Sequence, residues 1–211
     1  MKTKPISEAT RTAILDAAWK LISERGRLDV SQSEIAAAAG VSRQTVYMAF
    51  GNRAGLLTEM TRNKDTKSDH VPRMRAVRTA ATVSRADFEA YVNTYLDYLP
   101  LIYPVAILLD AASLTDEEAA AAWDDRMKGA VLAGIKQMFV HLGRDGHLAP
   151  GWTPAAAAEL VWSLLHPTCW RLLVVGCGWS EEKFRRSRFD IIRAIVLAKD
   201  ETGKKNRQRR R

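Results

Sequence analysis

SQSEIAAAAGVSRQTVYMAFGNRAGLL, residues Ser31–Leu57, decides the fold of this chain. Ser31 and Glu34 are spaced as a capping box. The serine hydroxyl accepts from the Glu34 N–H and the glutamate reaches back to the Ser31 N–H, which predicts a helix from Gln32. Ile35, Ala36 and Ala39 supply its inward face. Gly40 ends it, because the turn calls for left-handed backbone that glycine adopts without strain. Val41 turns inward as a plug, and Ser42 caps a second helix running to about Met48. Val46 faces Ile35 and Phe50 closes the small core. Ala36 is small because two helices crossing near a right angle leave no room for more. This spacing predicts a helix-turn-helix followed by a third helix.

The outward face of the second helix carries Arg43, Gln44, Thr45, Tyr47 and Met48. Arginine pairs with guanine and glutamine with adenine in the major groove. Thr45 and Tyr47 are hydroxyl donors suited to phosphates. Ser42 stands at a helix N-terminus, where an anion is favoured, and Ser31 is assigned to the same interface. The bland alternative is a surface helix that only solvates its polar side; the turn and the flanking helices favour the DNA reading.

On these residues the chain resembles the TetR family of transcriptional regulators. The matching elements are ISERG (Ile22–Gly26), IAAAAGVSRQTVYMAF (Ile35–Phe50) and NRAGLL (Asn52–Leu57), which cover the first quarter to third of the chain. Beyond them the likeness is one of length and helical pattern. The resemblance implies that Tyr47 contacts a phosphate. It implies the same for Arg53, at a position usually held by lysine. The residue before the phenylalanine is often histidine in the family; here it is Ala49, so one backbone contact of the pattern has no counterpart. It further implies a ligand-responsive regulator, most often a repressor, that dimerises through the last two helices of each subunit.

Length and charge agree with a polyanionic partner, with one qualification. The 211 residues suffice for a small N-terminal domain (1–62) and a larger helical one (63–199), and the net charge is +8. The segment GKKNRQRRR carries six of those charges and leaves +2 for everything before Gly203, so the DNA reading rests on the turn and not on net charge. Residues 200–211 read as a basic disordered tail, either merely solvated or an accessory non-specific DNA arm. No secretory segment is legible at the N-terminus, and the apolar run Leu99–Leu109, interrupted by Pro100 and Pro104, is short of a membrane span. A cytoplasmic protein without metal or cofactor is expected. Cys169 and Cys177, roughly 12 Å apart along one helix, read as reduced, buried structural cysteines, with a redox sensor as the alternative.

The remaining pattern is helical throughout, giving an all-α, TetR-like fold: a three-helix helix-turn-helix domain plus a larger C-terminal bundle. A first helix spans Glu8–Arg25 behind Ser7. Residues 63–83 read as a linker. Ser84 and Asp87 open a segment that Pro100 and Pro104 must kink or break, and Thr115 with Glu118 forms another capping box. One helix then runs to about Leu142, a second from Pro154 to about Val175, and a last from Ser180. The final two supply a candidate dimer interface of Leu164, Leu165, Leu172, Phe184, Arg188, Ile191 and Ile195, or these faces only complete the subunit core. A two-fold dimer suits a palindromic operator with half-sites about 34–36 Å apart, or a multiple of that. Tyr98, Tyr103, Trp123, Met127, Trp162, His166 and Trp170 are candidate effector contacts, each equally at home in ordinary packing. Two rival classes remain. One is an enzyme built on His166 and Cys169, for which no orienting third group is identifiable. The other is an architectural DNA-binding protein without an effector.

Overall fold

The computed structural model describes residues 6–198, so the basic segment 200–211 and its expected role lie outside the described residues. The described chain is helical, with one isolated antiparallel bridge between Leu148 and Leu197. Its elements are α1 (Glu8–Arg25), α2 (Gln32–Ala38), α3 (Arg43–Phe50), α4 (Arg53–Thr66), α5 (His70–Arg78), α6 (Arg85–Ala112) and α7 (Glu117–Asp124). A π-helical segment, Asp125–Leu132, leads into α8 (Ala133–Arg144). Then come α9 (Pro154–Leu164), α10 (Pro167–Trp170), a second π-helical segment (Arg171–Gly176) and α11 (Glu181–Ile195).

The chain packs as two compact units. The first comprises the described residues to Arg73 together with Asp97–Val131; the second comprises Met74–Leu96 and the described residues from Leu132 on. Helix α6 contributes its ends to different units, so they are not divided at one point in the sequence.

In the first unit, α1 and α4 pack together, α2 packs on α1 and α3, and α4 packs on α7. Ile14, Ala18, Ile35, Val46, Leu56 and Met60 are buried there, and Ala36 is 3% exposed, as its small size requires. Ser7 caps α1 by accepting from the Thr10 N–H at 3.1 Å, and Gly26 ends it at φ 65°. Two readings that bear on this unit are corrected. Residues 63–83, expected as a linker, are helical over much of their length. α1 stabilises the extension of α4: Asn63 donates to Asp16 at 3.0 Å, Lys67 pairs with the same carboxylate, and Lys64 lies 4.9 Å from the centre of the Trp19 ring. The cap of α7 is Asp116, not Thr115; its Oδ1 accepts from the N–H groups of Glu118 (3.0 Å) and Ala119 (3.1 Å).

Of the two expected outcomes, a kink or a break, the break does not occur: helix α6 runs through both prolines. Pro100 and Pro104 stand at i and i+4, which aligns their missing amide donors along one side of the helix. Among the described residues α6 is the helix long and apolar enough to cross a membrane, by length and composition only. Its Phe88, Tyr91, Leu96, Leu99, Val105 and Leu109 are buried, as in a core helix.

In the second unit, α8 packs on α9, and Phe88 meets Phe139 edge-on at 5.2 Å. Thr153 caps α9 with Pro154 at its first position, and Ser180 caps α11. The helix expected to continue to Val175 stops at Leu164. Pro167 disfavours helical backbone at His166, whose ψ is 140°, and the chain restarts as α10. Cys177 is exposed and Cys169 half-buried, so the expectation of two buried cysteines fails; the π-helical segment carries Cys177 out to the surface.

Candidate nucleic-acid interface

The turn between α2 and α3 forms as its residues dictate. Ser31 Oγ accepts from the Glu34 N–H at 3.2 Å while the Ser31 N–H donates to Glu34 Oε2 at 2.9 Å. The Glu34 carboxyl is lowered to about 2, chiefly by that Ser31 N–H and next by the Arg25 guanidinium at 2.6 Å. Gly40 takes φ 69°, and Ser42 Oγ caps α3 by accepting from the Thr45 N–H at 3.0 Å. At the other end of α3, Gly51 closes the helix. A side chain on Gly55 would place its Cβ 2.3 Å from the Phe50 carbonyl oxygen. Only glycine lets α4 start so close to the last turn of α3, a constraint that sequence reasoning passed over.

These contacts set which way α3 faces. Val46 and Phe50 are buried; Arg43, Gln44, Tyr47 and Met48 are exposed, Tyr47 at 63% and Met48 at 45%. The side chains of Arg43, Gln44 and Tyr47 make no hydrogen bond or ion pair with any described residue. Their polar groups are therefore held out on one face with no task inside the chain. Ser31, Ser42 and Thr45 differ. Ser31 is committed to its capping box, and the Ser42 and Thr45 hydroxyls bond each other at 2.8 Å as well as capping α3. Arg11 braces the back of this face: its Nη1 donates to the Ala49 carbonyl at 2.7 Å, and its guanidinium sits over the Phe50 ring at 4.5 Å.

Arg53 is half-buried and already engaged. Its Nη1 donates to Asp116 Oδ2 at 2.6 Å and lies 3.6 Å from Glu118, while Nη2 donates to the Leu28 carbonyl at 3.3 Å. The Asp116 carboxyl is held below the usual carboxylate range by the Ala119 N–H and then by Arg53. The first cation of α4 is thus tied to the cap of α7.

Behind α4 the first unit holds a cleft partly open to solvent, with only about 20 Å³ of room for water-sized centres in it. Trp123 and Met127, both foreseen as effector contacts, line it. Tyr98 lies beside it, its hydroxyl donating to Asp65 at 3.1 Å. Tyr103, Trp162, His166 and Trp170 do not line it. Trp19, Thr61, Asp65 and Arg126 do, and sequence reasoning missed them. Arg126 had a legible signal, standing between Trp123 and Met127 at helical spacing, whereas Asp65 fell in the stretch read as a linker.

The expected dimer residues divide. Leu165, Phe184 and Arg188 are buried within the subunit: Phe184 meets Trp170 edge-on at 5.2 Å, and Arg188 donates to the Leu164 carbonyl at 3.4 Å. Core packing leaves them no surface for a second copy. Leu164 and Ile191 are half-buried, while Leu172 (50%) and Ile195 (42%) are exposed. His166 Nδ1 accepts from the Thr168 N–H at 3.3 Å, and the Cys169 thiol donates to the Ser163 carbonyl.

The profile of bacterial regulatory proteins of the tetR family matches residues 14–60, the stretch from α1 to α4. The chain is 28% identical over 191 residues to the HTH-type transcriptional repressor LfrR of Mycolicibacterium smegmatis, covering 90% of this chain and 88% of that one. Two solved structures share its fold. NalD, the secondary repressor of the MexAB-OprM multidrug efflux pump in Pseudomonas aeruginosa, superposes with a TM-score of 0.63 at 22% identity, over 90% of this chain and 96% of its own. SmeT in complex with triclosan superposes with a TM-score of 0.67 at 18% identity, over 92% and 94%.

Proposed function

The chain belongs to the TetR family of bacterial regulatory proteins, and from that premise we propose that it is a transcriptional repressor that leaves its operator when a small, largely apolar effector binds. The observation that carries this reading is the face of α3. Arg43, Gln44 and Tyr47 are exposed and unpaired on a helix whose other side is core. Arg43 and Gln44 read base edges, Tyr47 binds a phosphate, and Ser42 and Thr45 present the helix N-terminus to the backbone. Ser31 serves mainly to cap α2, and Met48 covers apolar surface of the groove. Two copies act together on a palindromic operator, with Leu172 and Ile195 within the surface that a second subunit covers. The protein works beside the chromosome, in the cytoplasm, without catalysing a reaction.

Helix α7 links effector to operator. It carries Asp116, which holds Arg53, and Trp123, which lines the cavity. A molecule that seats against Trp123 shifts α7 and changes whether Arg53 is available to a phosphate, so the two ligands are coupled through one element. The likeness to a multidrug-pump repressor and to a triclosan-bound protein supports an apolar effector.

A mobility shift on the DNA upstream of the chain's own gene tests the reading. Tyr47→Ala should keep the helical circular dichroism of the parent and lose most operator binding. Arg43→Ala should cost about 1–3 kcal/mol and relax preference at one base pair. Unchanged binding by a folded Tyr47→Ala would refute the assigned face.

A further inference from the structure

We propose that the cavity of the first unit takes an apolar molecule ending in a carboxylate, and that Arg126 recognises that carboxylate. The walls fix the apolar part. Ile102, Val105 and Leu109 of α6, Trp19 of α1, Trp123 of α7 and Met127 of the following π-helical segment enclose it. The space between these walls is continuous with solvent, so a ligand can reach it from outside.

Asp65 and Arg126 are the charged residues in that wall, their side chains 14% and 12% exposed, and they form an ion pair. A hydrogen-bond account decides what they accept. Both oxygens of Asp65 are in use: Oδ1 accepts from the Tyr98 hydroxyl at 3.1 Å with His70 Nε2 at 3.6 Å, and Oδ2 accepts from Arg126 Nη1. His70 stacks on Tyr98 at 3.5 Å and keeps this arrangement in place. Arg126, by contrast, spends only Nη1; its Nε and Nη2 donate to no described residue. An incoming cation would have to displace Arg126 from a carboxylate that already has its neighbours. An incoming carboxylate displaces nothing and meets the free N–H edge of a planar guanidinium, which binds such groups bidentately. The Trp19 ring offers a cation little, since Lys64 already stands over it at 4.9 Å. Arg126 also stands near the start of a π-helical segment, a distortion frequent at functional sites.

The test compares decanoate, decanol and decyltrimethylammonium on the full chain, by calorimetry and by quenching of tryptophan fluorescence. Decanoate should bind roughly tenfold or more tighter than decanol, the scale of a charge-assisted hydrogen bond. Arg126→Gln should remove that preference and leave decanol binding unchanged. The double variant Asp65→Asn/Arg126→Gln keeps a hydrogen-bonded, uncharged pair in the same space and should behave alike if the single variant folds poorly. Equal binding of decanoate and decanol by the parent would overturn the proposal. So would tightest binding of decyltrimethylammonium, or a decanoate preference that survives in a folded variant. The assignment deepens the effector reading above, yet these titrations contain no DNA. Decanoate binding with no operator release would leave the site standing and refute that reading alone.

Discussion

On α11, Arg185 donates to Asn93 at 3.0 Å, Arg186 to Glu182 at 2.8 Å, and Arg193 grips both oxygens of Glu89 at 2.8 and 2.7 Å; on α3, Arg43 has no partner among the described residues. Both helices are amphipathic and arginine-bearing, so composition alone does not separate them. The difference lies in whether the charge is already used. An arginine paired within its own subunit positions that subunit, whereas an unpaired one on a rigid face is free for a phosphate or a base edge. Arg53 stands between the two cases, since it has a cationic position at the start of α4 but is held by Asp116.

The largest expected effect tests the structural side of this contrast. Phe184→Ala removes a fully buried ring from α11 and should cost about 3–5 kcal/mol in urea unfolding. The operator preference of the folded fraction should not change. A shifted base preference with intact stability would mean that α11, too, serves recognition.

A smaller effect is expected at the intermediate case. Asp116→Asn still caps α7, because asparagine caps as well as aspartate, but it removes the closer of the two carboxylates that hold Arg53 and leaves Glu118 at 3.6 Å. DNA affinity at low salt should rise by about three- to tenfold. The salt dependence should steepen by the equivalent of about one phosphate contact. Unaltered affinity and slope would place Arg53 with the structural arginines of α11.

The smallest effect belongs to the exposed pair of Arg25 and Glu34 beside the turn. Burying nothing, it acts through the capping box, and its pH dependence has a definite sign. The folded carboxyl is lowered from 4.5 to about 2, so its stabilisation is complete above pH 4.5 and is lost as pH falls through about 2. The melting-temperature gap between the parent and Glu34→Gln should be constant at neutral pH, narrow below about pH 4.5 and close near pH 2. A gap that widens with acid would reverse the sign and exclude the capping carboxylate as its source.

Much of the first unit was legible because its decisive contacts are local. Ser31 with Glu34, Ser42 with Thr45 and the left-handed Gly40 involve groups within a few residues, and residue type at fixed spacing announces them. Legibility failed where a distant element supplied the partner. The extension of α4 past Arg62 rests on Asp16 and Trp19 of α1. The survival of α6 through Pro100 and Pro104 goes with packing of its apolar side. Phe184 and Arg188 present the pattern of an interface stripe, but Trp170 and the Leu164 carbonyl had already claimed them.

By itself the sequence determined the helix-turn-helix, the face that α3 presents and the all-α class, since capping, glycine conformation and hydrophobic period act along the chain. The tertiary structure decided what binds what across it. Arg53 meets Asp116 from 63 residues away, and Asp65 meets Arg126 from 61. Such pairs depend on how helices pack, and packing alone turned a basic position into a restrained one and a stretch read as linker into the wall of a cavity.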